Sequence, residues 1–100
     1  MHLKYNKYIE LIKKIILKKL DKSENVKIIF FGSRASGQNI TQGSDVDVAI
    51  EGDFRETDFI SLKEELEEAP IPYEVDLINL NVAEDNFKEK IYKEGIFWKN

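Results

Sequence analysis

The sequence contains no cysteine, which excludes disulfides and thiolate-held metal sites. Its one histidine, His2, stands beside the chain terminus and reads as solvent-exposed and inert. Chemistry that needs a thiol or an imidazole therefore has no carrier. Apolar runs fall far short of a membrane span, so no membrane association is expected. Lys13 and Lys14 interrupt the apolar residues near the start, which leaves no signal-peptide core. A cytoplasmic protein is the expectation. Arginine is scarce: of fifteen basic residues only Arg34 and Arg55 are arginine. Repeats, low-complexity tracts and linkers are also missing.

What is present describes one folded domain over residues 1–100. Hydrophobic residues make up 42% and charged residues 34%, a soluble globular balance. The net charge of −4 argues against gripping nucleic acid through the whole surface, and no stable nucleic-acid binding is expected. The charge is unevenly spread. Residues 1–20 carry six lysines and one glutamate, whereas 51–68 is strongly acidic.

Taken in order, residues 3–20 read as an amphipathic helix. Tyr5, Tyr8, Ile9, Ile12, Ile15, Ile16 and Leu20 recur at three- and four-residue steps. Lys4, Lys7, Lys13, Lys14 and Lys18 fall largely on the other side, either as a solvated face or as a basic surface for a nucleotide, RNA or acidic partner. After a polar turn from Asp21 to Asn25, Val26–Phe31 is a β-branched and aromatic run that fits a buried central strand. Gly32 ends it, a short helix is expected near Ser36, and 38–44 reads as a loop. Val46–Ile50 is the second strand and Glu51-Gly52-Asp53 a turn. Thr57 suits the cap of a helix over 58–69 with Phe59, Leu62, Leu66 and Ala69 inward. Pro70 and Pro72 stop it. Tyr73–Leu80 is a third strand, and Asn81 with Glu84 resembles a capping box for the last helix, over 82–94. Ala83, Phe87 and Ile91 are expected to face inward there, with Gly95 at its C′ position. Ile96-Phe97-Trp98 reads as a short strand or a surface aromatic cluster, open to a partner or folded back on the core.

The informative stretch is Phe30 to Ile50. A hydrophobic strand runs into Gly32-Ser33-Arg34-Ala35-Ser36-Gly37, and the second strand opens as Ser44-Asp45-Val46-Asp47. Strand side chains alternate, so Asp45 and Asp47 share one face while Val46, Val48 and Ile50 share the other. Aspartate is depleted in strands, and two on one face ask for a reason. An antiparallel pairing of the first two strands brings Gly32-Ser33 beside Asp45. The helix of about a dozen residues that follows is long enough for a parallel crossover, which sets Asp76 beside Asp47. Carboxylates one strand spacing apart, about 4.8 Å, repel by a few kcal/mol per pair unless a cation joins them. Magnesium suits such oxygens and the phosphates they handle. Arg34 adds a planar fork suited to phosphate, or is simply an arginine on a loop. Gly32 and Gly37 match part of a P-loop, but Gln38-Asn39 replaces the lysine and hydroxyl residue that motif requires.

Gly32-Ser33-Arg34-Ala35-Ser36-Gly37, Ser44-Asp45-Val46-Asp47-Val48 and Val75-Asp76-Leu77 together resemble the minimal nucleotidyltransferase (MNT) family of the DNA polymerase β superfamily. The likeness spans residues 26–80, and the flanking helices fit it. That family often has a second arginine where Ser36 stands. The resemblance implies an α/β nucleotidyltransferase fold, palm-like, with a small mixed β-sheet and flanking helices. It implies that Gly32 and Ser33 hold the β- and γ-phosphates of a nucleoside triphosphate, with Arg34 and Ser44 assisting. It implies that Asp45 and Asp47 bind two Mg²⁺ ions, with Asp76 ligating one and activating the incoming hydroxyl. Proteins of this kind are commonly encoded with a HEPN-domain partner as antitoxin and toxin, and transfer AMP from ATP to a tyrosine of that partner. The alternatives are an antitoxin that neutralises by complex formation without turnover, and a nucleotidyltransferase for small molecules such as antibiotics. Self-association is left open.

Overall fold

The computed structural model describes residues 6–21, 25–37 and 45–99. His2, Tyr5 and the expected first turn at 3–5, the loop at 38–44 and with it Ser44 lie outside them. The first helix, α1 (Lys7–Leu20), begins later than its apolar period suggests. Asn6 is extended and its side-chain oxygen accepts from the N–H groups of Tyr8 and Ile9 at 2.9 and 3.0 Å. That capping bond satisfies two donors the helix cannot pair internally and fixes where the helix starts. Ile9, Ile12, Ile16 and Leu20 are buried on one stripe, while Lys7, Lys14 and Lys18 are exposed. Burying each such side chain contributes about 1.5–3 kcal/mol.

Strand β1 (Val26–Phe31) follows, then a single helical turn α2 (Ser33–Ser36) and strand β2 (Val46–Gly52). Helix α3 (Glu56–Glu68), strand β3 (Val75–Asn79), a 3-10 turn over Leu80–Val82, helix α4 (Asp85–Glu94) and strand β4 (Ile96–Lys99) complete the order. The sheet runs β3-β2-β1-β4. β1 is antiparallel to β2 and to β4, and β2 is parallel to β3, so the mixed sheet expected from the sequence is present. Both strands that carry the glycine turn and the aspartates are interior, which fits the continuous apolar run of β1.

The alternation of β1 and β2 divides the core. Ile28, Phe30, Val46, Val48 and Ile50 pack with Ile9, Ile12 and Ile16 of α1 and Leu62 and Leu66 of α3. On the other face Ile29 and Ala49 pack with Leu80 and with Ile91 of α4. Trp98 resolves its two readings by stacking on Phe30 at 5.1 Å, and Ile96 packs against the same cluster. Phe97 keeps 38% of its surface exposed.

Several local expectations need correction. Glu51 and Gly52 are strand, not turn, because they pair with Lys27 and Val26 and so extend the ladder. Thr57 is not the cap of α3. The helix starts at Glu56 with Arg55 preceding it, and Arg55 pairs with Asp58 at 3.1 Å. The third strand is shorter than expected, since Tyr73 lies before it and Leu80 enters the 3-10 turn. Asn81 does not open α4. Its side chain accepts from the Gly52 N–H and donates to the Gly52 carbonyl, both at 2.9 Å, and so ties the turn to the end of β2. Phe87 is only half inward, 38% exposed and edge-on to Phe31. Gly95 is extended rather than left-handed, so it is no C′ glycine. It is small for another reason: a Cβ there would stand 2.3 Å from Ile29 Cγ2.

Candidate functional site

The apolar run of β1 ends because Gly32 adopts φ 85°, ψ −167°. That region is open essentially to glycine. A side chain at this point would also have nowhere to go, since a Cβ would meet Asp47 Oδ2 at 2.3 Å. The backbone of the turn and the carboxylate of β2 thus come into direct proximity. The chain then coils once. Ser36 N–H donates to the Gly32 carbonyl at 3.0 Å and Gly37 N–H to the Ser33 carbonyl at 2.9 Å. The Ser36 hydroxyl donates to the Ser33 carbonyl at 3.1 Å. The first N–H groups of such a turn have no acceptor inside it, and Gly32 at the N-cap has no side chain to offer them. Four residues carry almost no macrodipole, so any attraction for an anion comes from those local N–H groups.

The register delivers the carboxylates. Phe31 is opposite Asp47 in the β1–β2 pair, and Asp47 is directly beside Asp76 in the parallel β2–β3 pair. Asp45 immediately precedes β2 and lies two residues from Asp47. The Val46 N–H donates to the Glu74 carbonyl at 2.9 Å, pinning the start of β2 against β3. Asp47 is half-buried, and Asp45 and Asp76 are exposed. Burial, then the charge of Asp76, then that of Asp45, push the Asp47 carboxyl up from 3.8 to about 6. The charges of Asp76 and Asp45 thus reach Asp47. Among the described residues no group of three or more His, Cys, Asp or Glu side chains stands close enough together to hold a metal ion. Asp45, Asp47 and Asp76 offer hard oxygen donors at the ends of neighbouring strands.

Ser33 is half-buried in the turn. Arg34, the next residue, is turned inward. It is the buried charged residue of the described core, 4% exposed, with its guanidinium carbon 3.9 Å from the Tyr73 ring centroid. The Tyr73 hydroxyl in turn accepts from the Asn6 side-chain amide at 2.9 Å. The scarce arginine is thus locked between the turn and the segment leading into β3. Tyr73 was not singled out from the sequence as part of the site. Its only signal there is an aromatic residue between Pro72 and the strand that carries Asp76. A cleft of about 340 Å³ opens beside the turn, lined by Phe31, Gly32 and Ser36 on one side and by α4 on the other. No helix among the described residues is long and apolar enough to cross a membrane.

Comparison with known proteins bears on the fold and the family. No curated protein sequence matches the chain significantly. Solved structures do. A chain of a toxin–antitoxin complex with AMP-PNP superposes with TM-score 0.68 at 23% identity, covering 88% of this chain and 73% of that one. A chain of a tri-AMPylated HEPN toxin in complex with MNT antitoxin, from Shewanella oneidensis, gives TM-score 0.62 at 21% identity. It covers 91% of this chain and 71% of that one. A chain of the MntA–HepT toxin–antitoxin gives TM-score 0.61 at 21% identity, over 91% and 72%. At these identities the likeness concerns the fold. The family model for polymerase beta nucleotidyltransferases matches residues 10–98, wider than the 26–80 that carry the motifs. With nearly the whole chain inside that match, and with the glycine turn and aspartates in register, the protein belongs to the polymerase beta nucleotidyltransferase family.

Proposed function

We propose that the chain is a magnesium-dependent nucleotidyltransferase that moves AMP from ATP to a tyrosine hydroxyl of a HEPN-type toxin, and so acts as its antitoxin. The observation that carries this reading is the pairing of Asp47 with Asp76 beside the Gly32 turn. Family membership supports the class of reaction, and the AMPylated HEPN toxin in one similar structure supports the acceptor.

The donor set fits magnesium. That ion takes hard oxygens, uses one or two carboxylates and completes its shell with water and substrate phosphate. Asp45, Asp47 and Asp76 are oxygen donors only, and an Asp47 carboxyl held up at about 6 gains from a cation nearby. Two bound ions would supply charge stabilisation for both the attacking and the leaving oxygen. Gly32 and Ser33 hold the β- and γ-phosphates through backbone N–H groups and the Ser33 hydroxyl. Arg34 and Ser44 assist them. Asp45 and Asp47 would hold the magnesium ions, whose charge would offset that of the α-phosphate. Asp76 orients the acceptor hydroxyl and takes its proton. The hydroxyl oxygen bonds to the α-phosphorus, the bond to the bridging oxygen breaks, and pyrophosphate leaves. The partner presents the tyrosine and completes the open face beside β3.

Intact-mass measurement of a co-expressed HEPN-domain partner tests this. With ATP and Mg²⁺ the partner should gain one or more AMP units, and the gain should vanish with Asp47→Asn. Neutralisation of the partner with no mass change would favour inhibition by complex formation alone. Rapid modification of an aminoglycoside or small alcohol by the isolated chain would favour the small-molecule alternative.

A further inference from the structure

Lys90 was assigned no role by the sequence motifs, yet α4 brings it to the phosphate turn. Phe87, Lys90, Ile91 and Glu94 stand at helical steps of three and four, and all four line the cleft that Gly32, Ser36 and Phe31 close from the sheet side. Ile91 is buried and Phe87 packs edge-on against Phe31, so the inner stripe of α4 is anchored there. Lys90 is the cation on that wall. The other lysine near the stripe, Lys88, is engaged with Glu51 at 3.7 Å, and Glu51 also accepts from the Tyr92 hydroxyl. No ion pair holds Lys90 among the described residues. Glu94 lines the same cleft and opposes an anion in it. A free ammonium on one wall, a backbone-lined glycine turn on the other and the Asp47 carboxylate beside that turn make a path for a polyanion with its reacting end at Asp47.

We infer that Lys90 is a positioning residue for the polyphosphate tail of the nucleotide, and that Glu94 sets an opposing charge that limits its affinity. This rests on the nucleotidyltransferase reading and deepens it. The lysine binds the terminal phosphates as a point charge on a flexible stem, so arginine can replace it and a neutral side chain cannot. Its exposure to water limits the effect.

The test is calorimetric binding of ATP and of AMP to the full chain with Mg²⁺. Lys90→Gln should weaken ATP about tenfold, equivalent to about 1.4 kcal/mol. AMP, which lacks the tail, should bind as to the parent. Lys90→Arg should restore ATP affinity to within about twofold, and Glu94→Gln should raise it by about two- to threefold. Lys93→Gln, on the exposed side of the same helix, is the control for bulk charge. Equal ATP affinity for Lys90→Gln and the parent overturns the inference and leaves the nucleotidyltransferase reading standing. Equal losses for ATP and AMP, or for Lys90→Gln and Lys93→Gln, overturn it too. Failure of the parent chain to bind ATP removes both.

Discussion

Replacing Asp47 with asparagine should abolish AMP transfer and at the same time make the metal-free protein more stable. The substitution keeps the shape and removes the charge. In the folded chain the Asp47 carboxyl titrates at about 6 instead of 3.8, because burial, Asp76 and Asp45 all oppose its ionisation. A folded value above the unfolded one means that ionisation works against folding. The stabilising contribution of the protonated form is complete below about pH 4 and is lost as pH rises through about 6. The full shift corresponds to about 3 kcal/mol, and solvent screening of this half-buried group reduces it to about 1–2 kcal/mol. Urea unfolding in EDTA, followed by Trp98 fluorescence, measures it. At about pH 7.5 the variant should exceed the parent by about 1–2 kcal/mol, and at about pH 4 the difference should fall under about 0.5 kcal/mol. Magnesium should close the gap at the higher pH, because a ligand that binds only the folded parent stabilises only the parent. A parent more stable than the variant in EDTA at neutral pH would refute the repulsion argument. So would a gap independent of pH.

The glycine turn gives a paired test. Gly32→Ala should cost about 2–4 kcal/mol in urea unfolding, from backbone strain and from collision with Asp47, and Gly37→Ala, where among the described residues no atom beyond its chain neighbours lies within 4 Å of the new Cβ, only about 1 kcal/mol. Arg34→Lys should destabilise by about 1–2 kcal/mol and lower nucleotide affinity, because an ammonium cannot reproduce the planar stack on Tyr73; equal thermal midpoints and equal affinity would remove that role. Asp76→Ala should leave the far-ultraviolet circular dichroism unchanged and eliminate the AMP mass gain on a HEPN-type partner, and retained transfer would exclude Asp76 from the reaction.

The sequence alone determined those features that depend on local pattern. Asp45 and Asp47 share a face because strands alternate, and Val26–Phe31 is interior because nothing in it is polar except Lys27. The parallel return of β3 follows from a helix of crossover length, and its register beside β2 matches the expectation, Asp76 next to Asp47. Boundaries depended on partners distant in sequence. Asn81 reads as a helix cap until Gly52, twenty-nine residues earlier, supplies two backbone groups that it satisfies instead. Arg34 reads as a free fork on a loop, but tertiary packing covers it with Tyr73 and ties that ring to Asn6, sixty-seven residues away. Lys90 has no local signature, since one lysine among thirteen becomes distinctive only when α4 lies across the sheet and turns it toward Gly32. Side-chain alternation and helical period are properties of the backbone and can be read one residue after another. Which polar group finds which partner is decided when the sheet and its helices come together, because burial then makes every unpaired group costly.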